Sequence, residues 1–225
     1  MRNATYLDFP LSEYRGRHQH LRDAMNEAGI DAVLLTTRDN VEFLSGFSPP
    51  SWRLGEKRFW LLVPETGEPT LFVDQVHEIN AFETTPIEDV RIWGTDGVGN
   101  IDFLRDALDD HGLVEATLGL EFGPASSIRM TPGELDDLRS AVPGATLVEC
   151  DEPVGRSRMV KSQLEIERIR KAVEITQEGF LAAFRQAGPG MTERDLISII
   201  ATEWLRLGAE TPYNGNNYGY LALQA

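Results

Sequence analysis

The 225-residue sequence holds one cysteine, Cys150, and four histidines, and sets only 21 lysines and arginines against 36 aspartates and glutamates. A single thiol excludes an intramolecular disulfide and a thiolate zinc cluster, which fits a cytoplasmic setting. The shortage of basic side chains, with a formal charge of -15 and a pI near 4.7, argues against nucleic acid as a partner, because phosphate-backbone binding needs lysine and arginine. The acidity reads as a solvated surface that resists aggregation, or as adaptation to a salty cytoplasm. No apolar run approaches the roughly 18 residues that a bilayer crossing needs, and Met1 to Tyr6 lead into no signal-peptide core. Neither a membrane nor secretion is expected. After Glu210 there is no Asp, Glu or His, so the final segment offers no carboxylate or imidazole ligand.

What is present suffices for a folded chain: 41% of the residues are hydrophobic and 25% charged, near the averages of globular proteins. Tyr14, His18, Leu21, Met25 and Ala28 recur at helical steps and predict a helix from Ser12 that stops at Gly29. Ile30 to Thr37 reads as a strand. Arg58 to Val63 and Thr70 to Val73 read as a hairpin around Pro64 to Pro69. Helices at Gln75 to Phe82 and Ile101 to His111, with strands at Val90 to Trp93 and Thr117 to Phe122, continue an α/β alternation. Thr131-Pro132-Gly133-Glu134 is a capping box that starts a helix ending near Pro143-Gly144, and Ala145 to Glu149 closes the sheet.

Asp151 to Val160, with Pro153, Gly155, Arg156 and Arg158 and no clear period, reads as a linker, which divides the chain into 1–152 and 153–225. Ser162 with Glu165 forms a second capping box, and Ile166, Ile169, Val173, Thr176, Phe180 and Phe184 mark the buried face of the helix that follows. Glu167 and Lys171 decorate its exposed side. Gly188-Pro189-Gly190 ends it, and Thr192 with Asp195 caps another helix running to Leu207. Only two helices follow the linker before an apolar end, so the second domain is expected to be incomplete.

The candidate chemistry is sparse. His18 and His20 point about 200° apart on a helix and cannot share a metal, and His18 reads as a satisfied boundary histidine. His77 beside Glu78 lacks the second histidine of a His-Glu-x-x-His motif and reads as part of a surface helix pair. Asp109, Asp110 and His111 read as a solvated helix end. Cys150, beside Glu149 and Asp151, reads as an inert core thiol. Gly94 to Gly99 lacks the G-x-G-x-x-G spacing and reads as a turn. The segment Pro49 to Arg58 stands apart, because Trp52 with Arg53 and Arg58 can stack on and hydrogen-bond a carboxylated ligand. A packed loop with solvated charges is the competing reading.

Gly29 to Phe47, with Phe43-Leu44-Ser45-Gly46-Phe47, resembles the start of the creatinase/prolidase amino-terminal domain, where a helix, a strand and an aromatic-Leu-x-Gly-Phe turn follow in order. Arg158 to Ala172 is similar to the helix that opens the pita-bread catalytic domain of the creatinase, prolidase and aminopeptidase P family. Gly190 to Leu196, ending at Gly208-Ala209, resembles its next helix. The resemblance implies a mixed sheet flanked by helices, followed by an incomplete α+β pita-bread domain. It implies hydrolysis by a pair of divalent metals (manganese, cobalt or zinc), typically of the bond before proline, although relatives act on creatine or ectoine or cleave dimethylsulfoniopropionate. The family's ligands, two Asp, one His and two Glu, lie beyond the helices matched here, so no catalytic or metal residue carries over. The chain alone is therefore not expected to catalyse.

The resemblance further implies a homodimer in which loops of this domain edge the neighbouring active site, and that role falls to Trp52, Arg53 and Arg58. A peptide or small-molecule substrate is expected only in a complete protein. A non-catalytic dimerisation or peptide-binding module is the alternative of a different class. A nucleotide-binding α/β protein is disfavoured because no phosphate-cradling glycine loop is present.

Overall fold

Four apolar residues in succession, Ala32–Leu35, form strand β1, and all four are buried, as a strand covered on both faces requires. In the computed structural model, which describes residues 1–49, 51, 58–94, 101–124 and 128–209, β1 lies inside a six-stranded mixed sheet. The other strands are β2 (Trp60–Pro64), β3 (Thr70–Asp74), β4 (Asp89–Trp93), β5 (Thr117–Leu120) and β6 (Thr146–Glu149), in the spatial order β4-β3-β2-β1-β5-β6. β2 pairs antiparallel with both β1 and β3, which is the hairpin expected from the turn around Pro64 to Pro69. The β3–β4, β1–β5 and β5–β6 pairs are parallel.

Side chains alternate across the sheet and feed two cores. On one face Val33, Leu35, Leu61 and Val73 pack with Leu21 and Met25 of α1 (Leu11–Ala28), Val41 and Leu44 of α2 (Arg38–Ser45) and Ala81 of α3 (Glu78–Thr84). On the other, Leu34, Trp60, Leu62 and Phe72 pack with Leu104 and Leu108 of α4 (Ile101–Asp110) and Leu138 of α5 (Pro132–Ala141). The result is the helix-flanked mixed sheet expected from the sequence.

Helix α1 buries Tyr14, His18, Leu21 and Met25, but Ala24 and Arg17 join them, while Ala28 is exposed. Its stop at Gly29 is a left-handed residue at φ 67 whose N–H bonds back to Asn26 O at 3.1 Å, the conformation that glycine adopts without a Cβ penalty.

Two stretches differ from their sequence reading. The segment around Phe43 to Phe47, read as a turn, is the last turn of α2 followed by Gly46 at φ 68. A Cβ on Gly46 would come 2.6 Å from the Tyr14 hydroxyl oxygen, so this glycine serves close packing as well as the cap. Asp151 to Met159, read as irregular linker, is helix α6. Pro153 sits in its first turn, where a missing N–H costs nothing. Val154 enters the core, and Arg156 pairs with Glu27 of α1 at 2.5 Å. The first compact unit runs through this helix to Val160.

The second unit starts at Lys161 and presents α7 (Gln163–Gln186) and α8 (Glu193–Arg206). Ser162 with Glu165 and Thr192 with Asp195 form the two expected capping boxes. The helices meet closely at Gly179, where a Cβ would come 2.2 Å from Trp204 Nε1. Lys171 pairs with Glu174 at 3.9 Å. The stripe read as buried is open: Ile166 is 37% exposed, Ile169 50%, Val173 58% and Phe184 73%. Only Gly179 and Ala183 of α7 are buried, because α8 covers one narrow side of it.

Candidate functional site

In open α/β sheets a ligand crevice forms beyond the carboxyl ends of parallel strands. Here β1 and β5 end together, and Glu121, directly after β5, fills that position. Its carboxylate accepts from Thr36 N at 2.5 Å, Thr37 N at 2.7 Å, the Thr36 hydroxyl at 3.0 Å and Asn40 Nδ2 at 2.6 Å. A buried carboxylate thus satisfies the amides of Thr36 and the N-cap Thr37, at the junction between β1 and α2, and lies near the positive end of the helix dipole. Asn40 in turn accepts from Arg158 at the end of α6. Sequence reading missed this cluster, since nothing local signals a cap supplied from a strand far along the chain.

The segment read from the sequence as a candidate for recognition is anchored at both of its described ends. Trp52 and Arg53 lie outside the described residues. At the near end, Ser51 Oγ stands 2.5 Å from His77 Nε2, and His77 Nδ1 bonds to Asp74 Oδ1. Asp74 also accepts from His77 N at 3.1 Å, capping the 3-10 turn Gln75–His77. Because the carboxylate can only accept, Nδ1 carries a proton, and in the neutral ring Nε2 accepts from the Ser51 hydroxyl. Phe59 and Phe47 meet the imidazole edge-on at 5.0 and 6.5 Å. His77 is therefore buried, at 7% exposure, which corrects its reading as part of a surface helix pair: the aromatic walls come from two other segments. The legible signal was Asp74 three residues before His77, an N-cap spacing.

At the far end, Arg58 Nη1 reaches both oxygens of Glu134 at 2.6 Å. Glu134 also closes the expected capping box of α5, taking Thr131 N at 2.6 Å while its own N–H bonds to Thr131 Oγ1 at 3.2 Å. Arg58 is thus committed to a carboxylate of this chain.

The remaining candidates resolve simply. His18 donates from Nε2 to Leu44 O at 2.7 Å, and burial lowers its pKa to about 4, so it is the satisfied histidine expected. Cys150 is buried; burial pushes its thiol pKa up, and the charges of Glu121, Asp151 and Glu149 push the same way. His111 is only partly solvated, with Nε2 3.1 Å from the Thr70 hydroxyl, and Asp110 pairs with Arg91 at 2.8 Å. Residues 95–100 of the glycine-rich turn lie outside the described residues. Among the described residues no group of three or more His, Cys, Asp or Glu could hold a metal ion, and none of their helices is long and apolar enough to cross a membrane.

A sequence profile of the creatinase/prolidase N-terminal domain matches residues 17–160, the stretch from within α1 to the end of the first unit. The chain belongs to that family. It is 28% identical over 191 residues to a Xaa-Pro dipeptidase of Pyrococcus horikoshii, covering 84% of this chain and 47% of that protein. A creatinase of a Bacillus species is 26% identical, with 87% of this chain and 45% of the relative covered. The crystal structure of an X-Pro aminopeptidase from Thermotoga maritima superposes with a TM-score of 0.68 at 27% identity, over 86% of this chain and 50% of that one. The chain thus spans about half the length of the relatives it matches.

Proposed function

We propose that the chain is the amino-terminal portion of a metal-dependent Xaa-Pro peptidase or a related hydrolase acting on a small substrate such as creatine or ectoine. The match to one half of proteins named Xaa-Pro dipeptidase, X-Pro aminopeptidase and creatinase carries this reading. The described residues do not fit a divalent metal pair, so manganese, cobalt or zinc would be held by residues outside them, and no chemical step is assigned to this chain.

Its own contribution is structural and recognitive. In a cytoplasmic homodimer, Trp52 and Arg53 edge the substrate site. Arg58, locked to Glu134, and Ser51, locked to His77, hold the ends of their segment. This division of labour predicts a KM effect without a matching loss in kcat, since binding that is equal in ground and transition states changes KM alone. The experiment is a single polypeptide joining this chain to a catalytic half of the family, assayed on Ala-Pro or Gly-Pro with manganese. Trp52→Ala with Arg53→Ala should raise KM on the order of tenfold; an unchanged KM would remove the edging role.

A further inference from the structure

Ser45, Ser140, Ser157 and Ser198 each donate to a carbonyl oxygen three or four residues earlier in their own helix. Ser51 instead stands 2.5 Å from His77 Nε2, while the opposite ring nitrogen, Nδ1, donates to Asp74. A hydroxyl, an imidazole and a carboxylate in that order form the set that activates a serine, and such a set is recognised by its geometry rather than by its order along the chain. Asp74 is 1% exposed and His77 7%, whereas Ser51 is half-buried, so the hydroxyl is the member that an external molecule meets. Thr70 and His111 make a contrasting pair. Their Oγ1–Nε2 separation is 3.1 Å, and Thr70 gives its proton to Asp89 at 2.6 Å, so that hydroxyl is not held for the imidazole.

We propose that Ser51 is a nucleophile that takes the acyl group of an activated carboxylic ester, with His77 as its base and Asp74 as the positioning residue for His77. Ser51 Oγ bonds to the ester carbonyl carbon as its proton passes to His77 Nε2. The bond from that carbon to the alcohol oxygen breaks, and Nε2 returns the proton to the departing alcohol. Water then adds to the acyl-serine, its proton passes through Nε2 to Ser51 Oγ, and the carboxylic acid leaves. The Asp74 carboxylate holds Nδ1 protonated and stabilises the imidazolium formed in each half. Phe47 and Phe59 flank the ring and are fully buried, which lowers the local dielectric and strengthens that attraction. The step needs no metal and is independent of the hydrolysis proposed above, in which this chain takes no chemical part. Amides, with a poorer leaving group, lie outside it.

In the test, the intact 225-residue chain is treated in EDTA with a fluorophosphonate and, separately, with p-nitrophenyl acetate. The expected result is one phosphonyl adduct, placed on Ser51 by peptide mass spectrometry, and release of p-nitrophenol that the same reagent blocks. Ser51→Ala removes one half-buried hydroxyl, should keep its circular dichroism, and should abolish both. His77→Gln and Asp74→Asn should each slow labelling at least on the order of a hundredfold. The amide of Asp74→Asn can donate to Nδ1, which moves the ring proton to Nε2, and the nitrogen chemical shifts of His77 report that change of tautomer. A contact that only anchors the segment would leave no adduct to slow. Where a His77 variant loses its near-UV circular dichroism, Ser51→Cys replaces it: iodoacetamide should alkylate that thiol on the order of tenfold faster than free cysteine at neutral pH. The proposal is overturned if the parent takes no adduct, if the adduct sits on another residue, if Ser51→Ala is labelled as fast as the parent, or if the introduced thiol reacts no faster than free cysteine.

Discussion

Arg58 holds both carboxylate oxygens of Glu134 through a single nitrogen, at 2.6 Å each. The same carboxylate caps α5, so one side chain joins Arg58, just ahead of β2, to the start of that helix. The pair is partly shielded from solvent, with side-chain exposures of 28% and 10%.

Glu134→Ala removes the ion pair and half of the capping box, whereas Arg58→Met removes only the pair. The first should cost about 2 kcal/mol and the second about 1 kcal/mol, given typical capping and ion-pair contributions. Urea denaturation at pH 7 measures both. Equal losses would mean that the cap contributes nothing.

His18 makes stability depend on pH. Burial lowers its pKa from 6.5 to about 4, with the Leu44 carbonyl opposing and the nearby Arg22 and Arg17 reinforcing the shift. Below about pH 6.5 the unfolded chain takes up a proton that the folded chain refuses until about pH 4. This group's contribution to stability is therefore complete above that window and is lost as pH falls through it. The loss is on the order of 3 kcal/mol, from about 1.4 kcal/mol per pH unit. His18→Gln keeps a donor for Leu44 O and removes the titration. Its denaturation midpoint should vary less between pH 7 and 4 than the parent's, and parallel curves would contradict this.

Gly119 in β5 leaves room for Cys150. A Cβ at 119 would stand 2.8 Å from the Cys150 Cβ and 3.0 Å from Val33 Cγ1, within a core that has little freedom to yield. Gly119→Ala should destabilise by about 1–3 kcal/mol. Adding Cys150→Ala should not restore stability, because the clash is with the Cβ that alanine retains. In the parent, Cys150 should resist a thiol reagent until the chain is unfolded.

Elements that carry their own boundary signals were legible in the sequence. Thr131 with Glu134, Ser162 with Glu165 and Thr192 with Asp195 announced three helices, and the structure forms each capping box as written. Helix α2 was missed because no side chain of its own sequence caps it, and Glu121, which anchors the Thr36–Thr37 junction ahead of it, comes from beyond another strand. Helix α6 was hidden by Pro153 and Gly155, and its packing partners in α1 and α2 are remote in sequence. The burial of His77 depends on Phe47 and Phe59 closing around it, which no local pattern encodes. The α7 stripe had the right period, but periodicity alone does not fix burial, and Val173 and Phe184 remain exposed.

In the function proposed here, this chain supplies an amino-terminal frame and a substrate edge, and the metal is held by residues outside those described. Metal content and hydrolysis of Gly-Pro and Ala-Pro by the purified, folded 225-residue chain, with added manganese or cobalt, test it most directly. The expected result is no stoichiometric metal and no turnover. One or two tightly bound ions with measurable turnover would contradict it and place a complete metal site within these 225 residues.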